Sequence, residues 1–343
     1  MTKVLSEREE KILQAILQNH IRTAKPTGSR YLTRKYKLGI SPATVRNTLS
    51  DLEEKGYLSH PHRSAGRVPT DKAYRHYVDH LLGLKDLTEA EENALKSSMR
   101  PDRKVVEDVL LHAAKVLSVL TYELGIGLAP KMEEGILEHL DLVQVSLSKI
   151  LLVLTVKSGL VKTIFIEVPA ETHMDRLVET ASFLNERLCG LTLGEIRTSL
   201  SERLRDVSSG DRGLLNFFVQ SAEDLFDLSA NESHLIIDGV SLLAHQPEFS
   251  TEKGMRSIIE LTERRNFLSK ILADRAESEG IMITIGKENR AMNLEPFSIV
   301  TSDYTVGTLK GTIGVIGPTR MPYEKVIRLV DYTSRMISEI LKE

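Results

Sequence analysis

The stretch from Ser41 to Arg67 reads SPATVRNTLSDLEEKGYLSHPHRSAGR and is the most informative part of the chain. Ser41 has the side chain of a helix N-cap, and Pro42 fits the first helical position, where no backbone N–H is needed. Gly56 predicts the end of this helix. The residues after it predict a short hairpin with a basic tip. A capped helix followed by such a hairpin is typical of a winged helix-turn-helix, which contacts two neighbouring DNA grooves.

The apolar side of the predicted recognition helix determines which side chains point outward. Val45, Leu49 and Leu52 form a buried stripe, so small and polar side chains occupy the opposite face and its flanks. These outward residues are the candidates for reading bases: Ala43, Thr44, Arg46, Asn47 and Ser50. Arginine can pair bidentately with guanine and asparagine with adenine, while alanine and threonine methyl groups can contact the methyl group of thymine.

Two further groups are predicted to contact DNA around this helix. The preceding helix, the loop before it and the cap of the recognition helix supply candidates for phosphate contacts: Thr27, Ser29, Arg30, Arg34, Lys35 and Ser41. The wing supplies candidates for an adjacent minor groove, where narrow A·T tracts concentrate negative potential: His62, Arg63, Ser64 and Arg67. Winged helices also bind proteins, so a scaffold that uses this surface for protein contacts is an alternative.

The charges of the chain are unevenly distributed. A net charge of −3 over 343 residues argues, taken alone, against a DNA-binding protein. Residues 1–83, however, contain 15 Lys and Arg against 8 Asp and Glu, a balance of +7, while the remainder contains 30 against 40, a balance of −10. A basic N-terminal module on an acidic body indicates that one end of the molecule binds a polyanion.

Composition limits the remaining classes. The hydrophobic fraction of 41% and the charged fraction of 27% are typical of a globular protein of two or three domains. Cys189 is the single cysteine, so we expect no internal disulfide and a reducing cytoplasm. The N-terminus lacks the pattern of a signal peptide. The longest apolar run, Ile150 to Val156, is far shorter than the ~20 residues that span a bilayer, so we expect no membrane partner.

Motifs for other chemistry are weak. The glycines between Gly311 and Gly317 lack the spacing of a phosphate-binding loop or a dinucleotide fingerprint. His60 and His62 have no further metal ligands adjacent in the sequence. Local motifs suggest neither a Ser/His/Asp nor a Cys/His arrangement. We therefore expect a protein that is not an enzyme and holds neither a cofactor nor a metal ion.

Beyond residue 83 the pattern predicts an α+β fold. Strand-like runs lie on both sides of a mostly helical block: Leu137 to Leu147, Ile150 to Val156, Val161 to Val168, Ile281 to Ile285, Phe297 to Thr301 and Thr308 to Ile316. We expect one antiparallel sheet with helices to one side, interrupted by the helical block. Bulky apolar residues within the block are candidates for a dimer interface, although a monomer core uses the same types: Leu214, Phe217, Phe218, Leu225 and Phe226.

Four runs resemble the bacterial family of the heat-inducible transcription repressor HrcA. They are PTGSRYL (Pro26 to Leu32), SPATVRNTLSDLEEKGYL (Ser41 to Leu58), HPHRSAGRVPTDKAYRHYVD (His60 to Asp79) and GTIGVIGPTRMPYEKVI (Gly311 to Ile327). The resemblance extends over essentially the whole length. It implies a winged helix-turn-helix in residues 1–83, a GAF-like antiparallel sheet domain in 84–170 and 280–343, and a mostly helical inserted dimerisation domain in 171–279.

The resemblance also implies a function. Proteins of this family are dimeric repressors of chaperone operons that bind an inverted-repeat operator, called CIRCE, upstream of the groE and dnaK genes. The GroE chaperonin keeps them active, so repression is lost on heat stress when the chaperonin is occupied. A metabolite-sensing winged-helix repressor, with a small ligand in the GAF-like domain, is the alternative.

Overall fold

A computed structural model describes residues 5–37, 39–61, 65–83, 86–99, 105–168, 174–205, 212–220, 225, 235–292 and 294–342. The N-terminal elements form the predicted winged helix-turn-helix. In chain order they are α1 (Glu7–Thr23), α2 (Ser29–Tyr36), α3 (Pro42–Glu54), β1 (Leu58–Ser59), β2 (Val68–Pro69) and α4 (Asp71–His76), which continues into a π-helical turn (Tyr77–Leu81).

Local sequence explains these elements. Ser6 and Glu9 form a reciprocal capping box at the start of α1. The backbone N–H of Thr44 donates to the Ser41 hydroxyl over 3.1 Å, with proline in the first turn of α3. The predicted stripe of Val45, Leu49 and Leu52 is buried. The winged helix-turn-helix therefore follows from caps and helical periodicity.

The rest of the chain alternates helices and strands. In order these are α5 (Glu89–Ser98), α6 (Val106–Thr121), β3 (Leu124–Leu128), β4 (Leu137–Ser146), β5 (Lys149–Val156), β6 (Val161–Glu167), α7 (Met174–Leu188), α8 (Leu193–Arg203), α9 (Arg212–Gln220), β7 (Leu235–Asp238), α10 (Val240–Ala244), α11 (Glu252–Glu263), α12 (Arg265–Ala276), β8 (Ile281–Ile285), β9 (Phe297–Val306), β10 (Leu309–Pro318) and α13 (Tyr323–Ile340). Short 3₁₀ helices lie at Met132–Glu134, Pro247–Phe249 and Gly286–Met292.

Within the described residues, five strands form an antiparallel sheet in the order β7-β3-β10-β9-β8. Val300, Ile313 and Val315 face a core shared with α6 and α13, while Ile299 and Ile316 face a core shared with α11 and α12. Alternate residues of a strand point to opposite faces, which produces the two cores. Helices thus cover both faces, and the expectation of helices on one side is wrong.

A second antiparallel sheet, β4-β5-β6, is separate from the first in the part of the chain that is described. Its inner face packs on α7, α8 and α9. The strands of residues 137–168 therefore do not belong to the later sheet, and the expected single interrupted sheet is wrong in its membership. The strand that does pair with β10 is the short β3. We accordingly place the insertion between β3 and β7 instead of at residues 171–279.

The winged helix-turn-helix and the five-stranded sheet share one core. Tyr74 of α4 and Tyr323 of α13 are buried, with ring centroids 6.0 Å apart. Arg75 pairs with Glu288 at 2.6 Å and donates to the Ile283 carbonyl over 2.8 Å. The orientation of the winged helix-turn-helix is thus set by a buried aromatic contact and a partly exposed ion pair. Among the described helices, none is both long and apolar enough to cross a membrane.

Candidate nucleic-acid interface

The predicted reading face of α3 is open to solvent. Ala43, Arg46, Asn47 and Ser50 are exposed, and Thr44 is half-buried beside them. The opposite face of the helix is packed into the core of the winged helix-turn-helix. The side chains proposed to read bases therefore form one accessible surface.

The start of α3 favours a polyanion. Its first turn contains no acidic residue, so its partial positive charge is not neutralised there. The Ser41 and Thr44 hydroxyls lie 3.0 Å apart, so Ser41, predicted to contact phosphate, is also occupied by the cap. Asp51 and Glu54 are exposed farther along α3. Positive potential is thus concentrated at the N-terminal half, which normally contacts bases.

The end of α3 is fixed against α1. Lys55 contacts Glu9 over 2.6 Å. Burial alone raises the pKa of Glu9, but hydrogen bonds from Lys55 and Ser6 outweigh burial and lower the pKa overall. The same carboxylate accepts the Ser6 backbone N–H over 2.8 Å, so one glutamate caps α1 and holds the recognition helix.

Helix α2 presents basic side chains beside the reading face. Arg30 and Arg34 are exposed, and neither has an ion-pair partner among the described residues. Ser29 is half-buried. Lys35 is exposed but held, because its ammonium donates to Asn19 Oδ1 over 2.8 Å and to the Tyr31 hydroxyl over 2.7 Å. These positions agree with phosphate contacts, which remain a prediction.

Thr27 does not present its side chain to DNA. It is 2% exposed, and its hydroxyl accepts a 2.9 Å hydrogen bond from Asn19 Nδ2. Its backbone N–H and carbonyl pair with the carbonyl and N–H of Arg67, each over 2.9 Å. The prediction that Thr27 contacts phosphate is therefore wrong, because its side chain is buried and its backbone N–H and carbonyl are both paired with Arg67.

The base of the wing is tied to the recognition helix. Arg67 pairs with Glu53 of α3 at 2.7 Å and also contacts the His60 ring. A minor-groove contact by Arg67 requires this ion pair to open, and it stays a prediction. The other predicted wing contacts, His62, Arg63 and Ser64, lie outside the described residues.

Sequence reasoning missed Asn19 and Tyr31. Asn19 continues the buried stripe of α1, at the position expected after Ile12 and Ile16. A polar residue at a core position usually has a hydrogen-bonding role, and that pattern could have identified it. Tyr31 gives no such pattern, since a tyrosine on an exposed helix face is ordinary.

The predicted dimer-interface residues occupy a core. Leu214, Phe218 and Leu225 are buried, and Phe217 packs partly buried against the same cluster, while Phe226 lies outside the described residues. A second copy cannot contact residues that are already covered within one protomer. This corrects the prediction for Leu214, Phe218 and Leu225.

The exposed apolar surface of the insertion lies instead on the outer face of its sheet. Val143 of β4 is opposite Leu151 of β5, which is opposite Phe165 of β6. Phe165 is 68% exposed, and Val143 and Val161 are also exposed. This outer sheet face, defined by Val143, Val145, Leu151, Val161 and Phe165, has no covering helix among the described elements. Within the described residues, no group of three or more potential ligand side chains is placed to hold a metal ion.

Comparisons with known proteins agree over nearly the whole chain. Residues 107–327 match the family model of the HrcA protein C-terminal domain. The chain is 42% identical to the heat-inducible transcription repressor HrcA of Chlorobium phaeobacteroides strain BS1, covering 98% of each chain. It is 38% identical to the protein of the same name from Geobacter sulfurreducens, again covering 98% of each. A crystal structure described as a hypothetical protein matches the fold with a TM-score of 0.63, 23% identity and 99% coverage of both chains.

Proposed function

Since the chain belongs to the HrcA family of heat-inducible transcription repressors, we propose that it represses chaperone operons by binding an inverted-repeat operator as a homodimer. Its relatives are named as transcription repressors, which are not enzymes, and this chain is likewise a transcription repressor. The operator of the CIRCE type, the groE and dnaK operons and the cytoplasmic location are part of the proposal.

The observation that carries the proposal is the exposed face of α3. It combines Arg46 and Asn47, the side chains best suited to bidentate base recognition, with the unneutralised N-terminus of the helix. Arg30 and Arg34 flank this face on α2. Base contacts supply sequence discrimination and phosphate contacts supply register, so this surface has both components that an operator-binding protein needs.

The outer sheet face supports the homodimer. A soluble monomer rarely leaves neighbouring apolar side chains uncovered, and this face presents Val143, Leu151 and Phe165 in one cross-strand row. Pairing two copies through this face would bury it and present two recognition helices. A two-fold protein matches a two-fold operator, which explains why the proposed site is an inverted repeat.

Regulation by heat is proposed from the family resemblance. Apparent affinity falls in proportion to the fraction of molecules that hold the DNA-competent fold. The GroE chaperonin, as the partner that maintains this fraction, would link repression to the load of unfolded proteins. A tenfold loss of competent molecules then lowers apparent operator affinity tenfold, equivalent to ~1.4 kcal/mol.

Fluorescence anisotropy with a labelled inverted-repeat duplex tests the proposal. We expect stronger binding than to a scrambled duplex of the same length, with a steep loss of affinity as salt rises. Adding GroE chaperonin after a heat pulse should restore the active fraction. Equal affinity for both duplexes contradicts the proposed repressor function, and affinity that is independent of salt favours the protein-binding scaffold.

A cleft between the two domains supports a metabolite-sensing repressor as a second candidate function, although it lies beside the winged helix-turn-helix and not within the GAF-like domain, where the sequence-based alternative placed the ligand. It has a volume of about 440 Å³, within the range of ligand sites, and joins α1, α2 and the start of α13 through Ile21, Tyr36, Pro322 and Lys325. A ligand here would contact the winged helix-turn-helix directly. Thermal-shift screening with metabolites tests this, because a ligand at 100 times its Kd stabilises by ~2.7 kcal/mol.

A further inference from the structure

One buried amide connects the α2 lysine to the wing. Asn19 of α1 is 3% exposed, and both ends of its side-chain amide have partners. Its Nδ2 donates to the Thr27 hydroxyl over 2.9 Å. Its Oδ1 accepts from Lys35 Nζ over 2.8 Å and from the Tyr31 hydroxyl over 3.2 Å. The arrangement joins α1, the loop before α2, and α2 itself.

Lys35 is held by several contacts although its side chain is exposed. Its ammonium has three N–H donors, of which two point to Asn19 and Tyr31. The nitrogen also lies 5.0 Å from the Tyr31 ring centroid and 5.5 Å from that of Tyr36, which favours a cation between the two rings. One donor remains for an external acceptor.

The charge of Lys35 has no internal counter-ion. Within the described residues, no carboxylate lies within ion-pair distance of its ammonium. The contacts that hold it are neutral oxygens and aromatic faces. A lysine that only stabilised the fold would gain more from pairing with a carboxylate. Because the neutral groups around Lys35 leave its positive charge uncompensated, the ammonium is suited to binding an external anion.

We propose that Asn19 and Tyr31 are positioning residues that hold Lys35 ready for one phosphate of the DNA backbone. The inference rests on the proposed function and adds to it. Since Thr27 pairs with Arg67 through its backbone, the amide that sets this lysine also anchors the base of the wing. The same amide therefore fixes the position of the phosphate-contacting lysine relative to the wing.

Tyr31→Phe is the decisive variant, because it removes one hydroxyl from a side chain that is 46% exposed and leaves the core untouched. Asn19→Ala would be ambiguous, since a buried amide also supports folding. Lys35→Met removes the cation and keeps most of the side-chain length. Tyr122→Phe is the matched control, because Tyr122 is exposed at the end of α6.

Binding of the full chain to the inverted-repeat and scrambled duplexes is measured by anisotropy over a salt series. Lys35→Met should weaken both duplexes alike, roughly tenfold, and reduce the salt slope by about 1.8, because each protomer of the dimer loses one phosphate contact worth about 0.9. Tyr31→Phe should weaken both about threefold in the wild-type background and have no effect in the Lys35→Met background. The Tyr122→Phe control should bind as wild type.

The outcomes separate the two proposals. Tyr31→Phe that binds as wild type, or that weakens binding by the same factor with and without Lys35, overturns the positioning role. Wild-type protein that binds both duplexes equally overturns the repressor proposal, while the phosphate contact is still read from the salt slope. Wild-type protein that binds neither duplex overturns both.

Discussion

The guanidinium of Arg320 donates a 2.7 Å hydrogen bond to the backbone carbonyl of Ile21. Ile21 lies in the last turn of α1, where carbonyls lack intrahelical partners and carry partial negative charge. Arg320 follows β10 of the sheet domain and also contacts Glu248 at 2.6 Å and Gln246 at 2.7 Å. One side chain therefore satisfies the end of a DNA-binding-domain helix and fastens it to the sheet domain.

Replacing this arginine should weaken the contact between the winged helix-turn-helix and the sheet domain. Arg320→Met removes the charge-assisted hydrogen bonds to Ile21 and Glu248, and we expect a loss of about 2 kcal/mol in the free energy of unfolding. Urea denaturation followed by circular dichroism measures it. The control is Arg290→Met, because the Arg290 side chain is 82% exposed in its pair with Glu295. Equal losses in the two variants would show that Arg320 has no special role.

Protonation of His20 should also destabilise the contact between these two domains as the pH falls. Its Nδ1 lies 2.7 Å from the Tyr74 hydroxyl, and burial, assisted by the positive charge of Arg320, lowers the pKa of His20 from 6.5 to about 4. Between these values the unfolded chain binds more protons than the folded one, so stability is lost as pH falls through that window.

The expected result is a thermal midpoint that decreases from pH 7 to pH 5. A His20→Gln variant should show a smaller decrease, since it removes this titration. Carboxylates with a lowered pKa, such as Glu288, act below 4.5 and do not account for the difference. Parallel pH profiles for wild type and His20→Gln would contradict the assignment.

The winged helix-turn-helix could be predicted because its determinants are local. Caps such as Ser41 and the spacing of Val45 and Leu49 fix which face of α3 is buried, and the exposed face follows by geometry. The burial of Thr27 and the ion pair of Arg67 could not be predicted, since their partners Asn19 and Glu53 are set by tertiary contacts. No local pattern identifies such partners.

The sheet membership could not be predicted for a related reason. Strand β3 reads LGIGL, and its two glycines hide the alternation of side chains that identifies a strand. Gly125 is required there, because a Cβ would lie 2.0 Å from the Ala114 carbonyl oxygen. The partners of β3 are β7 and β10, both far along the chain, whereas β4, β5 and β6 pair with near neighbours. Sequence order therefore suggested the wrong grouping.

The wing should be sensitive to one added methyl group. A Cβ on Gly66 would lie 2.5 Å from the backbone carbon and oxygen of Thr27, and backbone atoms cannot move aside cheaply. Gly66→Ala should displace the wing and lower operator affinity roughly tenfold, with a loss of about 2 kcal/mol in stability. Gly83→Ala is the matched control, since a Cβ there meets nothing within 4 Å. Gly66→Ala with wild-type affinity and stability would contradict the close packing.

Substitutions should distinguish the contacts that recognise bases from the contacts to phosphate. Arg46→Ala should cost about 2–6 kcal/mol on the inverted repeat, because each of its two half-sites loses a base contact worth about 1–3 kcal/mol, and it should cost little on scrambled DNA. Arg34→Ala should weaken both duplexes alike and flatten the salt slope by about 2, because both protomers of the dimer lose a phosphate contact. Competition binding at several salt concentrations measures both. An Arg46→Ala variant that keeps full operator discrimination would place the reading face elsewhere.

The outer sheet face should control assembly. Phe165→Asp puts a charge at the β6 end of the apolar row that it forms with Val143 and Leu151, and it costs the protomer little because Phe165 is already exposed. The molar mass measured by light scattering at micromolar concentration should fall from that of a dimer to that of a monomer, 38.4 kDa. Operator affinity should fall at least tenfold, since each half-site is then bound independently.

The control for this change is Val178→Asp on α7, which covers the inner face of the same sheet. Val178 is 73% exposed, so both variants add one carboxylate to an exposed apolar position of the insertion. A dimer that persists in Phe165→Asp but dissociates in Val178→Asp would move the interface to the helical side. Dissociation of Phe165→Asp alone, with unchanged thermal stability, would mean that the outer sheet face of the insertion pairs the two protomers and so their recognition helices. No other described apolar surface is altered in this variant.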